Sequence, residues 1–239
     1  MSSISDNLQA VQAAIATAAH AAGRRPEDVV LLAVSKTFGA DAVIDSAEAG
    51  QRAFGENYLQ EALDKMAAVR TMRPDLLLEW HFIGPIQSNK TRPIAEHFDW
   101  VHSVDRDKIA ERLSQQRPAH LPPLNVCLQV NISGEASKSG VMPTQVSDLA
   151  QHIATLPQLR LRGLMAIPEP TGNPEQQRAP FRTLRQLAEN LRALGLTLDT
   201  LSMGMSADMA PAIAEGATIV RVGTAIFGQR NYANHTSAN

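Results

Sequence analysis

Val29-Val30-Leu31-Leu32-Ala33-Val34-Ser35-Lys36-Thr37 is an unbroken apolar run that ends in a lysine flanked by two hydroxyls. It is too short to cross a membrane and is built of valine, leucine and alanine, so it reads as a strand buried on both faces. Lys36 stands at its carboxyl end. An ammonium group held beside a packed core is partly deprived of water, which favours the neutral amine and its attack on carbonyl carbon. The plainer reading is that Lys36 marks the point where the strand surfaces.

Working outward, short apolar runs recur at residues 53–57, 78–84, 100–104, 125–131, 161–167, 200–203 and 218–222. The intervening segments 40–49, 58–70, 86–97, 107–116, 143–155, 181–194 and 208–215 space their apolar residues by three or four, as helices do. Pro93 must fall in the first turn of its helix or break it. One more helix precedes the first strand: Ile4, Leu8, Val11, Ile15 and Ala18 or Ala19 draw a single stripe, Ser3 or Ser5 can cap it, and Gly23 can end it. Strands and helices thus alternate with no linker and no shift in composition. That pattern predicts an α/β fold, a single (β/α)8 TIM barrel with an extra N-terminal helix, spanning residues 1–228 and followed by a polar, flexible tail at 229–239. An open doubly wound sheet is the alternative, since strand order is invisible in sequence; no glycine-rich dinucleotide fingerprint follows the first strand.

The chain has 239 residues, 44% apolar and 19% charged, an ordinary globular balance. A formal net charge of -2 supplies no positive excess for phosphate backbones or anionic lipid, so neither nucleic acid nor membrane is expected as a partner. The one cysteine, Cys127, sits inside an apolar run and is expected to pack as a small hydrophobe in a reducing compartment. No secretory leader or membrane-length run is present, and a cytoplasmic location is expected.

In a barrel, chemistry gathers at the carboxyl ends of the strands. Those ends carry Lys36-Thr37, Glu56-Asn57, Gly84, Ser103, Asn131, Gly204-Met205-Ser206 and Arg221 with Gly223-Thr224. The last two loops, Ser202-Met203-Gly204-Met205-Ser206 and Arg221-Val222-Gly223-Thr224, have the make-up of a phosphate cup, because glycine lets backbone N–H groups approach and helix starts offer unpaired donors. The competing reading is that these glycines only permit tight turns and Ser206 is a helix cap. Arg221 interrupts an apolar strand and needs a partner, either a carboxylate in a structural ion pair or an aromatic nitrogen that a fixed cation would keep unprotonated. His81 reads first as a satisfied core histidine, Asn89 as part of a helix start, and Lys138 as a solvated loop lysine; a second contact to a bound anion or aldehyde is the other use of all three. No histidine or cysteine pair has metal spacing, and no metal is expected.

Five separated motifs then carry a resemblance: Ala33-Val34-Ser35-Lys36-Thr37, Phe54-Gly55-Glu56-Asn57-Tyr58, His81-Phe82-Ile83-Gly84 with Gln87-Ser88-Asn89-Lys90, Gly163-Leu164-Met165, and Ser202 to Ser206 with Arg221 to Thr224. In this order, from the first helix to Gly228, the chain resembles the pyridoxal phosphate homeostasis protein family (YggS/PROSC), which looks like the barrel domain of alanine racemase standing alone. The resemblance implies that Lys36 holds pyridoxal 5'-phosphate (PLP) as an internal imine. It implies further that Asn57 and Met203 line the cofactor, that Ser206, Gly223 and Thr224 bind its phosphate, and that Arg221 faces its pyridine nitrogen. An arginine there discourages the protonated ring that is the best electron sink. Racemisation also needs an acid on the opposite face from the lysine. In alanine racemases a tyrosine from the second domain of the partner subunit fills that place, and the tyrosines of this chain are Tyr58 and Tyr232. The expectation is therefore a monomeric protein of intracellular PLP homeostasis that holds PLP and releases it, with PLP-dependent apoenzymes as recipients and little or no catalysis. The rival is a PLP-dependent amino acid racemase.

Overall fold

The eight apolar runs form eight strands in the computed structural model, which describes residues 3–134 and 139–229. They are β1 (Val30–Val34), β2 (Ala53–Glu56), β3 (Glu79–Phe82), β4 (Trp100–Val104), β5 (Leu124–Gln129), β6 (Leu159–Met165), β7 (Thr200–Met205) and β8 (Ile219–Val222). All pair in parallel with their neighbours in sequence, and β8 returns to β1 with Leu32 opposite Arg221 and Ala33 opposite Val222. That last pairing closes the ring and excludes the open doubly wound sheet.

Around the ring run α1 (Ile4–Ala21), α2 (Ala40–Glu48), α3 (Leu59–Met72), α4 (Thr91–His97), α5 (Asp107–Gln116), α6 (Val146–Ala154), α7 (Pro174–Ala193), α8 (Met209–Ala214) and the short α9 (Thr224–Phe227). The first helix starts as its sequence suggests. Ser3 accepts a hydrogen bond from the Asp6 amide while the Asp6 carboxylate accepts one from the Ser3 amide, so two orphan N–H groups are satisfied reciprocally. Pro93 lies in the first turn of α4, where its missing N–H costs nothing. The long helix begins at Pro174 rather than at 181, because Asn173 caps it by accepting from the Glu175 and Gln176 amides and Pro174 supplies a preset first turn. It continues through Pro180 because Phe181, Leu184, Ala188 and Leu191 bury one face against the barrel. The sixth strand lies two residues earlier than its apolar run, and β7 extends to Met205.

Strand alternation divides the interior into two layers. Leu31, Ala33, Trp80, Phe82, Val101, Leu128, Leu164 and Val220 point out to the helices and join one large core. Leu32, Ala53, Trp100, Cys127, Met165 and Ile219 point in and form a small apolar cluster inside the ring. No helix among the described residues is long and apolar enough to cross a membrane.

Candidate functional site

After Val34 the chain leaves the ring, but the Ser35 amide still donates to the Gly55 carbonyl at 3.1 Å, so β1 and β2 stay aligned to the rim. The Phe38 amide then donates back to the Ser35 carbonyl at 3.1 Å, folding Lys36 and Thr37 into a tight turn. Thr37 has φ of 69°, a left-handed conformation costly for a β-branched residue. The turn is pinned by a group the sequence reading did not find: the Thr37 amide donates to Glu61 Oε1 at 2.6 Å. Glu61 also accepts from Lys65 Nζ at 3.0 Å, and Lys65 donates to Glu56 Oε1 at 2.6 Å and to the Ser35 carbonyl at 2.8 Å. The Ser35 hydroxyl gives Glu56 Oε1 a further hydrogen bond at 2.6 Å. The Lys65 side chain is 3% exposed and that of Glu56 0%, so this pair is fully desolvated. Burial pushes the Glu56 carboxyl up against the opposing pull of Lys65. Lys36, above this network, is half-buried and has an interaction partner of its own.

Beside the turn, β2 delivers Asn57. Its Oδ1 and the Thr37 Oγ1 are buried side-chain oxygens with no hydrogen-bond partner, which marks a polar lining built for something else. Gly84 packs so closely on Asn57 that a Cβ there would overlap the Asn57 carbonyl.

On the other side of β1, β8 is followed by Gly223, where a Cβ would stand 3.0 Å from the Val34 carbonyl oxygen. The lysine turn and the last loop are therefore neighbours, and Phe38 stacks on Phe227 of α9 with centroids 5.1 Å apart. Neither α8 nor α9 has a side-chain cap, so no capping side chain uses the first amides of either helix. Ser206 and Thr224 are exposed at the starts of these helices.

Arg221 is 4% exposed. Among the described residues no carboxylate pairs with it, which removes the ion-pair reading. Its Nη1 donates to the Ser202 carbonyl at 2.7 Å and to Ser202 Oγ at 2.8 Å, and its Nη2 to the Ala166 carbonyl at 2.9 Å. Burial brings the guanidinium down to about 10, which leaves it charged at neutral pH.

The ring thus brings Lys36, Asn57, Ser206, Gly223 and Thr224 to the carboxyl ends of β7, β8, β1 and β2, one continuous arc, with Arg221 inside it. Met203 behaves differently: its side chain is fully buried in the outer layer. His81 lies inside the barrel, and Asn89 is exposed on a short 3-10 turn after β3. Lys138 and residues 230–239, with Tyr232, lie outside the described residues. No cluster of metal-ligating side chains occurs among the described residues.

The family "Alanine racemase, N-terminal domain" matches residues 7–231. A pyridoxal phosphate homeostasis protein of Pseudomonas aeruginosa is 65% identical over 232 residues, 97% of this chain and 98% of that one. The chain belongs to the pyridoxal phosphate homeostasis protein family. PipY of Synechococcus elongatus, solved with PLP bound, superposes with a TM-score of 0.80 at 38% identity, covering 94% of this chain and 100% of that one. An alanine racemase of Corynebacterium glutamicum shares the barrel at a TM-score of 0.64 and 19% identity, with 95% of this chain covering 63% of that one, a likeness of fold alone.

Proposed function

We propose that the chain binds PLP at this arc, with Lys36 as the covalent anchor, and that it holds and releases the cofactor rather than turning over a substrate with it. The observation that carries the reading is the arrangement of the half-buried Lys36 beside the glycine-rich end of β8, with a buried arginine that no described carboxylate neutralises. The residues present fit the group. Asn57 Oδ1 is an unmet acceptor, the starts of α8 and α9 are uncapped, and Gly223 leaves room where a side chain would crowd Val34.

When bound, PLP supplies an aldehyde that condenses with a primary amine and a ring that withdraws electrons from the adjoining carbon. Lys36 provides the amine, held by a turn that Glu61 and Lys65 fix from below. The hydroxyls of Ser206 and Thr224 and the amide of Gly223 would receive the phosphate. Arg221, as a buried cation, would oppose protonation of a pyridine nitrogen placed beside it. That weakens the electron sink and favours storage over racemisation. Lys36 would anchor the aldehyde reversibly, an incoming amine or water replacing the lysine amine, and PLP-dependent apoenzymes would be the recipients. The protein works as a monomer on this reading, and Met203 contributes through its backbone at the rim.

Borohydride reduction followed by peptide mass mapping tests the anchor: the adduct is expected on Lys36, and an adduct on another lysine refutes the assignment. Incubation with single amino acid enantiomers tests storage against turnover, since sustained loss of optical activity at enzymatic rates would reject the carrier reading.

A further inference from the structure

Beneath Arg221, side chains from four strands pass one hydrogen bond to the next through the barrel. Arg221 Nη1 donates to Ser202 Oγ at 2.8 Å. Ser202 Oγ lies 2.8 Å from His102 Nδ1, His102 Nε2 lies 2.8 Å from His81 Nδ1, and His81 Nε2 lies 2.7 Å from Glu79 Oε1. His81 stacks on Trp100 with centroids 5.3 Å apart and an interplanar angle of 5°, so its ring cannot turn freely. The His81 side chain is 1% exposed and that of Glu79 50%, so the chain starts buried at the site and surfaces at the amino end of β3.

Both ends dictate the same polarity. Arginine only donates, so Ser202 Oγ accepts from it and keeps its own hydrogen for His102 Nδ1. An ionised carboxylate only accepts, so His81 Nε2 must carry a hydrogen for Glu79. A neutral His81 then accepts at Nδ1, His102 donates from Nε2, and His102 Nδ1 is left to accept from Ser202. Every link closes without a conflict. A second proton on His81 would turn His102 over to its other tautomer, so that Ser202 Oγ would accept from both Arg221 and His102 and its own hydrogen would lose His102 as acceptor. Desolvation lowers both histidines, and the hydrogen bond from His81 holds Glu79 below the usual carboxylate range. The other charged or titratable groups nearby are Asp99, whose carboxylate accepts from the Trp80 amide, Arg162, 4.6 Å over the Trp100 ring, the buried Cys127, and Asp208 toward Arg221.

We propose that Glu79, His81, His102 and Ser202 are positioning residues for Arg221, joined in a one-way hydrogen-bond chain that carries the charge state of Glu79 at the amino end of the barrel to the guanidinium at the carboxyl end. The role of Arg221 toward the pyridine nitrogen rests on the proposed function, but the chain itself does not. The test therefore uses protein without cofactor and reads structure rather than activity.

In long-range 1H–15N spectra at about pH 7, where free histidine is partly charged, both rings are expected neutral with the hydrogen on Nε2. Glu79→Gln removes the fixed acceptor, because an amide presents either end, and is expected to mix the His81 tautomers. It should also shift the side-chain 15N signals of His102 and Arg221, neither of which it touches. Acidifying the unaltered protein to protonate Glu79 gives the same readout should the variant fold poorly. A hydrogen on Nδ1 of either ring at neutral pH, or signals of His102 and Arg221 that ignore both perturbations, would overturn the proposal. Failure to trap an adduct on Lys36 would reject the cofactor assignment while leaving these signals to decide the chain.

Discussion

Lys65→Met removes the centre of the network under the lysine turn, and its cost follows from the contacts. Lys65 Nζ makes three hydrogen bonds, to Ser35, Glu56 and Glu61, at 2.8, 2.6 and 3.0 Å. Methionine fills the volume, so the main loss is electrostatic: Glu56 stays fully buried with only the Ser35 hydroxyl to serve its charge. Breaking one partner out of a buried pair costs about 3–5 kcal/mol. For a chain of this size that lowers Tm by roughly 6–20 °C. The deficit should depend on pH. Glu56 is already raised by burial, and losing Lys65 raises it further, so the folded state retains a proton that the unfolded chain releases. Such a group favours folding below the unfolded carboxylate value and ceases to as pH rises through its folded value. Urea unfolding of both proteins at about pH 4.5 and about pH 8 should give a small deficit at the first and the full one at the second. Adding Glu56→Gln should recover much of the loss. A deficit below about 1 kcal/mol at the higher pH, the level of an exposed pair, or one equal at both, would refute the account of this network as a desolvated ion cluster.

Gly204→Ala should destabilise by about 2 kcal/mol or more, because residue 204 has φ of 93° and the new Cβ would meet the Ala212 Cβ at 2.5 Å. Gly50→Ala, with φ of 101° but nothing near the added atom, is the control and should cost only the backbone term of about 1 kcal/mol, both read as urea midpoints. Cys127 is buried and its thiol is pushed up to about 12, so thiol reagents at mildly alkaline pH should label it only after unfolding; labelling of the native protein on mixing would contradict its burial.

The ring of strands was legible because each strand is a near-continuous apolar run between helical spacings, and β1 with Lys36 could be placed from nine residues. Boundaries slipped where a cap outweighed composition, as at Asn173-Pro174, whose proline reads as a turn but serves as the first residue of a helix. The rim residues followed from the rule that barrels work at their carboxyl ends. The buried polar groups did not follow. Lys65 follows Asp64 and shares the buried face of α3 with Ala62, Met66 and Val69, and a lysine there reads as solvated until its carboxylate partners are seen. His81 and His102 were visible one at a time, each a polar residue beside large apolar ones in a short strand, Trp80 and Phe82 for the first and Val101 for the second. That flanking is the signature of an inward-facing position inside a barrel, and only the closure of the ring says that two such positions meet.

The pairing of β8 with β1 gives the binding arc a property beyond its chemistry. Lys36 comes from the first βα unit and the glycine-rich cup from the last, so the two halves meet only across the seam where the circle is completed. The opening helix is stitched to the same seam, with Asn7 donating to the Ile226 carbonyl and Arg24 to those of Ile213 and Ala217. A chain still emerging from the ribosome owns the amine long before it owns the anion cradle. On the proposed function, capture of the vitamin-derived ligand would require the closed circle, and a ligand bridging the two halves would hold that joint shut.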